Sequence, residues 1–284
     1  MNTTNADYAH DVGKNEDDHN NTMFRHCMIC AARIQNGRGL SFSIDGNTKF
    51  NSNHDWTRDD HPYAGGHRSI ICSKAVTELF DKHLSSSSSA NVVKDCPSQR
   101  SPQQKIEKFK SLSGGVSGKA QSGIVCVVCE HQRVVATVIM FRSGERYSHV
   151  LAALAKVLEH FGLDESYQGD VVIGYDVGCK LSTYLKREGE KVKLHHNPKI
   201  RKVYDVSRLV NKMVVGSLHS YMHQPSCRRM YGNQWNIGVG LDDKEGVERL
   251  WAWMKSRFLG PSKEMAFWTR FDYMSNALRW VHSR

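Results

Sequence analysis

Long apolar segments are missing from this sequence of 284 residues. No stretch approaches 18 consecutive apolar residues, which excludes an ordinary membrane-spanning helix and predicts no membrane partner. Residues 1–21 are polar and lack the apolar region of a secretory signal peptide. We therefore expect a soluble, intracellular protein.

Acidic residues are fewer than basic residues. The chain has 39 Lys and Arg against 29 Asp and Glu, a formal net charge of +10. This balance favours a polyanionic partner such as nucleic acid. In a chain without a predicted signal peptide, the eight cysteines indicate reduced thiols or metal ligands rather than a disulfide framework.

Two segments have too few apolar residues to form a core. Residues 1–25 are predicted to be a flexible N-terminal segment, and a serine run followed by polar and Gly-rich sequence predicts a low-complexity insertion at about 85–122. At 39% hydrophobic residues, the remainder of 26–284 can bury a substantial core, which we expect to be one domain.

Hydrophobic periodicity predicts an alternation of strands and helices. The predicted strands span 40–44, 123–129, 134–141 and 171–173, and the predicted helices span 147–161, 179–186 and roughly 244–258. The first strand runs into the turn tripeptide Asp45-Gly46-Asn47. This order predicts an α/β fold, an RNase H-like mixed β-sheet flanked by helices, with irregular insertions.

Carboxylates follow two of these strands. Asp45 lies at the end of the first strand, Asp176 follows the strand at 171–173, and the last helix adds a glutamate. Taken singly, each aspartate is a turn or cap residue. Taken together, carboxylates from separate elements are what a two-metal site needs, because hard Mg²⁺ and Mn²⁺ prefer oxygen ligands. We therefore expect phosphoryl-transfer chemistry at one end of the sheet.

Five motifs in one order extend this interpretation. They are Ile44-Asp45-Gly46-Asn47; Cys129-Glu130-His131 with Ser143-Gly144-Glu145-Arg146 downstream; Tyr175-Asp176-Val177-Gly178-Cys179; His219-Ser220-Tyr221-Met222-His223 with Cys227; and Gly238-Val239-Gly240 leading into Glu245-Gly246-Val247-Glu248-Arg249-Leu250-Trp251. Together they resemble the Kyakuja-Dileera-Zisupton transposases, over roughly Cys27 to the C-terminus. The family is abundant in fungal genomes, and its members resemble cut-and-paste transposases with an Asp-Asp-Glu site.

The resemblance implies that Asp45 and Asp176 are the first two acids, and two glutamates compete for the third position. Glu248 is favoured because its context resembles that of the catalytic glutamate in hAT transposases, and Glu245, three residues earlier on the same helical face, remains the alternative. The family usually has glycine where this chain has Lys244, which would place a lysine at the mouth of the site.

Softer ligands form a second group. His219, His223 and Cys227 are spaced by four, so one helix would project all three to one side, although Pro225 interrupts the pattern. Zinc binding, nucleic-acid contact and a hydrogen-bonded polar network are all open interpretations of this group. Cys129 and His131 are candidate further ligands. Cys27 and Cys30 form half of a zinc ribbon, with no second pair nearby.

The resemblance thus implies a nuclear DNA transposase core that cleaves and transfers strands with two Mg²⁺ or Mn²⁺ ions held by Asp45, Asp176 and Glu248. Its partners would be double-stranded DNA, as transposon ends and target, and a second copy in a homo-oligomer. The alternative is an inactive or domesticated DNA-binding descendant, which Lys244 and the serine insertion favour. Family members continue beyond the point corresponding to Arg284, which implies truncation here.

Overall fold

The computed structural model describes residues 27–52, 76–80, 121–141, 144–164, 166–210 and 212–263, together with 265, 270, 273, 274 and 277. The predicted flexible segment 1–25 lies outside these residues. The predicted insertion at about 85–122 also lies outside them, except for its last two residues, which belong to a strand.

The described residues form a five-stranded mixed sheet, as the sequence predicts. Its strands are β1 (Leu40–Asn47), β2 (Gln121–Cys129), β3 (Val134–Phe141), β4 (Val171–Gly174) and β5 (Lys212–Val214). They lie in the order β3-β2-β1-β4-β5. The β1–β2 and β2–β3 pairs are antiparallel, and the β1–β4 and β4–β5 pairs are parallel. The carboxyl ends of β1, β4 and β5 therefore meet at one edge of the sheet.

Helices cover both faces of this sheet. They are α1 (Met28–Gln35), α2 (Tyr147–Phe161), α3 (Gly178–Val192), α4 (Pro198–Leu209), α5 (Ser217–Ser220), α6 (Pro225–Tyr231), α7 (Gly246–Arg257) and α8 (Leu259–Ser262), with a 3₁₀ turn at Asn233–Trp235. Helix α2 has the predicted bounds, and Gly162 ends it in the left-handed conformation. Within the described part of the chain, no helix has both the length and the apolar content needed to cross a bilayer.

The two faces of the sheet belong to separate apolar clusters. On one face, Leu40, Phe42 and Ile44 of β1 pack with the apolar residues of α1 to α4. On the other face, alternate residues of β2 and β3 pack against Val247, Leu250, Trp251 and Met254 of α7. These are four of the five residues whose helical spacing predicts an apolar stripe, and the fifth, Phe258, lies just after the end of the helix. Burying side chains of this size contributes roughly 1.5–3 kcal/mol each, so the stripe fixes the rotation of α7.

The polar residues of β1 face α7. The Ser43 hydroxyl accepts a hydrogen bond from the backbone N–H of Val247 at 3.1 Å. Two residues further along β1, Asp45 accepts one from the Trp251 indole at 2.9 Å. Ser43 and Asp45 are two residues apart and so lie on the same face of β1, and their partners Val247 and Trp251 are about one turn apart on α7. A row of polar side chains can therefore lie on this otherwise apolar face of the sheet.

The predicted turn at Asp45-Gly46-Asn47 is wrong, because β1 continues through all three residues. Asp45 pairs with Cys126, and Asn47 pairs with Ile124. Gly46 is needed in this strand: a Cβ at that position would lie 2.7 Å from the Glu145 carboxyl group. The glycine serves a close approach rather than a turn.

Helix α7 also begins later than predicted. Its first residue is Gly246, with Glu245 as the N-cap residue and Glu248 in the first turn. The prediction of a helix from Lys244 fails because Lys244 has a left-handed backbone, with φ of 63°, which a right-handed helix cannot include.

Candidate active site

Asp45 and Asp176 lie at the same edge of the sheet. Asp45 is near the end of β1, and Asp176 comes two residues after the parallel neighbour β4. Burial raises the pKa of Asp45 well above its ordinary value, and repulsion from Asp176, Glu145 and Glu248 raises it further. The structure therefore brings the two predicted aspartates and the favoured glutamate into one acidic cluster.

His219 connects two members of this cluster. Its Nε2 lies 3.3 Å from a carboxylate oxygen of Glu248, and its Nδ1 lies 3.3 Å from one of Asp176. The hydrogen bond to Glu248 raises the pKa of His219 to about 9, and the charges of Asp176 and Glu245 act in the same direction. The imidazole is therefore cationic at neutral pH and offsets part of the cluster's negative charge.

Glu245 has a different role from Glu248. Its Oε1 accepts the backbone N–H of Leu218 at 2.9 Å, which holds the first turn of α5. A Cβ at Gly216 would approach the same oxygen so closely that the Glu245 carboxylate would have to shift. The side chain of Glu245 is 6% exposed, against 37% for Glu248. One oxygen of Glu245 is thus held by the backbone of α5, and the other lies 3.9 Å from Nε2 of His219. Glu248 contacts the same histidine with greater solvent exposure.

Glu145 is a fourth carboxylate, for which the sequence analysis predicts no role beyond its place in a motif. It is buried and accepts a hydrogen bond of 2.6 Å from the hydroxyl of Tyr175, next to Asp176. Its approach to Gly46 places it beside β1. Periodicity did not identify it, because it precedes α2 in a connection that reaches this edge only through the tertiary fold.

Lys244 does not lie at the mouth of the site, contrary to the expectation from sequence. Its side chain is buried, and its ammonium group contacts Asp242 at 2.8 Å and the Ser41 hydroxyl. Ser41 precedes Asp45 by four residues on β1, roughly 13 Å along an extended strand. The ammonium group is therefore directed away from the carboxylates. The left-handed backbone at Lys244 explains why glycine suits this position.

The soft ligands group differently from the prediction. Cys129 and His131 lie with Cys27 and Cys30, whereas His223 and Cys227 lie with Cys179. His219 joins neither group, because it contacts the acidic cluster. Pro225 begins a new helix, α6, so the three residues spaced by four do not share one helix.

The group of Cys179, His223 and Cys227 lies directly behind Asp176. Nδ1 of His223 is 3.4 Å from the sulfur of Cys227 and 3.8 Å from that of Cys179. Nε2 of the same ring donates to the backbone carbonyl of Asp176 at 2.9 Å. Burial lowers the pKa of His223, so this imidazole is neutral at pH 7. It fixes the backbone that carries Asp176.

The fold and this cluster define an α/β protein with an acidic site at the carboxyl ends of parallel strands. The chain belongs to the Kyakuja-Dileera-Zisupton transposase family, whose model matches residues 39–279. The match covers Asp45, Asp176, His219 and both candidate glutamates. No curated protein and no solved structure gave a significant match. Membership assigns the chain to the transposases, a class of proteins that cleave or transfer DNA.

Proposed function

We propose that the chain is an RNase H-like transposase core with an Asp-Asp-Glu site, in which Asp45, Asp176 and Glu248 hold two Mg²⁺ or Mn²⁺ ions. The observation that carries this proposal is that the carboxylates of Asp176 and Glu248 meet at His219, at the same sheet edge where Asp45 lies. The strand order β3-β2-β1-β4-β5, with β1 and β4 parallel at the centre, supports the RNase H-like assignment.

The donor set fits hard divalent cations. Asp45, Asp176 and Glu248 offer only carboxylate oxygens, and burial together with repulsion from the other carboxylates raises the pKa of Asp45. Bound positive charge stabilises a cluster of carboxylates. The imidazolium of His219 supplies part of this charge. When bound, two such ions activate the attacking oxygen and stabilise the leaving oxygen of a phosphodiester.

The remaining groups position these carboxylates. Trp251 donates to one oxygen of Asp45 and leaves the second oxygen to the cluster. His223 fixes the backbone of Asp176 through its carbonyl oxygen. Glu245 holds α5, which carries His219. Groups that fix ligand orientation in this way are what a metal site requires around its ligands.

Double-stranded DNA is the proposed partner, both as transposon ends and as target. The formal charge of +10 supports a polyanionic partner, and the family implies DNA. Nuclear localisation follows as part of the same proposal. We also propose a homo-oligomer, because cut-and-paste transposition has to hold two DNA ends together.

Metal-dependent nicking of supercoiled plasmid DNA by the purified chain tests the proposal. We expect nicking with Mg²⁺ or Mn²⁺ and none with a chelator. Asp176→Asn should abolish nicking but retain DNA binding, because binding depends mainly on phosphate contacts. Asp170→Asn is the matched control: Asp170 precedes the same strand at its opposite end, where it pairs with Lys212 on the surface.

The same experiment detects the alternative function, an inactive or domesticated DNA-binding descendant. A chain that binds DNA and shows no metal-dependent nicking would support that alternative. Equal nicking by wild type and Asp176→Asn would overturn the proposed site itself. The inward direction of Lys244 removes one of the arguments that favoured inactivity.

A further inference from the structure

Four metal-binding side chains from distant parts of the sequence meet at the end of the sheet where β1 begins. Cys27 and Cys30 flank the start of α1, Cys129 is the last residue of β2, and His131 lies in the β2–β3 turn. Their ligand atoms all lie within 4.8 Å of one another, and the three cysteines are buried. This group is called the Cys₃His cluster below.

Hydrogen bonds alone do not account for this arrangement. The sulfur atoms of Cys27 and Cys30 both lie 3.4 Å from Nδ1 of His131. One ring nitrogen has either a single lone pair or a single proton, so it can form one such hydrogen bond in full. Tetrahedral zinc, with Zn–S near 2.3 Å and Zn–N near 2.0–2.1 Å, separates sulfur and nitrogen ligands by about 3.6 Å. The observed separations are close to this value.

We propose that Cys27, Cys30, Cys129 and His131 bind one structural zinc ion. Four protein ligands complete the tetrahedral coordination and leave no open position for a substrate or an activated water molecule. The ligand set also matches the soft thiolates and imidazole that zinc prefers over the oxygen-seeking Mg²⁺. The zinc ion would therefore have a structural role, and its site is separate from the carboxylate site.

The register of the sheet separates the two sites. Cys129 pairs with Phe42 of β1, whereas Asp45 pairs with Cys126. Three residues along a strand correspond to about 10 Å. Cys129 also packs in the apolar cluster that contains α1, while Cys126 packs in the cluster that contains α7. The Cys₃His cluster is therefore on the opposite face of the sheet from α7.

An acidic neighbour supports the histidine ligand. Nε2 of His131, the nitrogen that would face away from the zinc ion, lies 3.7 Å from a carboxylate oxygen of Glu130. Arg33 of α1 forms an ion pair with the same oxygen. A carboxylate beside the second nitrogen of a ligating histidine orients the ring and increases its basicity.

The zinc ion would act on the β2–β3 turn. Gln132 in this turn has a left-handed backbone, with φ of 62°, and its side chain accepts a hydrogen bond from Arg249 of α7 at 3.3 Å. A Cβ at Gly246 would lie 3.2 Å from the same side chain. Zinc thus ties α1 to a turn that also contacts the first residues of α7.

Zinc measurement on the purified full chain tests the proposal. We expect Cys129→Ser to contain about one zinc equivalent less than wild type. Cys126→Ser is the matched control, because Cys126 is equally buried in the same strand and contacts Thr137 instead of the cluster. It should keep the wild-type zinc content. Cys227→Ser reports separately on the group behind Asp176.

A conservative variant keeps the test valid if Cys129→Ser does not fold. His131→Cys preserves four ligands and should retain the zinc. Replacing zinc by Co²⁺ should then give different visible spectra for wild type and His131→Cys, because one nitrogen ligand becomes sulfur. Equal zinc in wild type and a folded Cys129→Ser, or identical cobalt spectra, would overturn the proposal. Neither measurement depends on DNA cleavage, so the test of the zinc site is independent of the proposed function.

Discussion

The two glutamates near the start of α7 differ in what their carboxylates contact. Glu245 accepts a backbone N–H of α5, and Glu248 contacts His219 within the acidic cluster. The resemblance favours Glu248 over Glu245, and both residues lie at the start of the helix. Both carboxylates lie near His219, and what distinguishes them is the backbone N–H that Glu245 accepts and the greater exposure of Glu248.

Glu248→Gln should eliminate metal-dependent nicking with an unchanged melting temperature, because it removes a charged ligand without breaking a backbone contact. Glu245→Gln should leave measurable activity, since the amide oxygen can still accept the N–H of Leu218. Plasmid nicking and thermal unfolding measure both variants. The reverse ranking of activities would assign the third acid to Glu245.

The left-handed backbone at Lys244 gives a second prediction for a single residue. Lys244→Gly should change the free energy of unfolding by about 1 kcal/mol or less, because relief of the backbone strain offsets the lost contacts with Asp242 and Ser41. Lys244→Val should cost more than about 2 kcal/mol, because a β-branched residue tolerates this conformation poorly and also loses the ion pair.

Urea unfolding measures both substitutions at Lys244. Because the ammonium group points away from the carboxylates, Lys244→Gly should also retain metal-dependent nicking. A strong gain of activity in this variant would instead mean that the lysine inhibits the site.

Between elements, the contact of α7 with β1 determines the orientation of Asp45. The Trp251 indole donates to Asp45, and its ring packs on Phe50, with centroids 5.4 Å apart. A helix held by an apolar stripe therefore also presents a polar donor to the site. The same interface stabilises the fold and orients Asp45. We therefore expect changes in the packing of α7 to alter the geometry of the acidic cluster.

Trp251→Phe separates the two contributions, because phenylalanine keeps an aromatic ring but lacks the N–H group. We expect a loss of about 10- to 100-fold in metal affinity or activity, the usual cost of removing a hydrogen bond to a metal ligand. Titration of nicking against Mn²⁺ concentration measures this loss. Trp253→Phe is the control, since Trp253 packs on Phe258 and Arg257 instead of the site. Equal effects in both variants would contradict the proposed role of the indole.

Across the whole molecule, basic residues lie in two different surroundings. Lys202 of α4 forms an ion pair with Glu159 of α2, on the face of the sheet packed by α1 to α4. Arg228 and Arg229 lie in α6, directly after Cys227 and next to the segment that fixes Asp176. The arginines of α6 are therefore better placed to contact DNA at the acidic site.

Replacing Arg228 and Arg229 together by Gln should weaken DNA binding. The slope of log affinity against log salt concentration should fall by about one unit for each lost phosphate contact. Fluorescence anisotropy over a range of salt concentrations measures this slope. Lys202→Gln should leave it unchanged. A larger effect from Lys202→Gln would move the DNA-binding surface to α4.

Local pattern was sufficient for the main elements of this fold. The spacing of apolar residues predicted α2 with its bounds, the strands β2 to β4 to within a few residues, and the buried stripe of α7. These features depend on neighbours a few residues apart, which the sequence shows directly. The helices α1 and α4 and the short strand β5 were not predicted, because their stability comes mainly from packing against other elements.

The sequence by itself determined the types of residue that the chemistry needs, including the two aspartates near strand ends and the glutamate pair three residues apart. Only the tertiary structure decided which residues meet. In the folded chain, Cys129 and His131 lie beside Cys27 and Cys30. His219 contacts the acidic residues, and Glu145 lies at the same site. Such contacts join segments up to about a hundred residues apart. They depend on strand register and on the connections between elements, which no local pattern specifies.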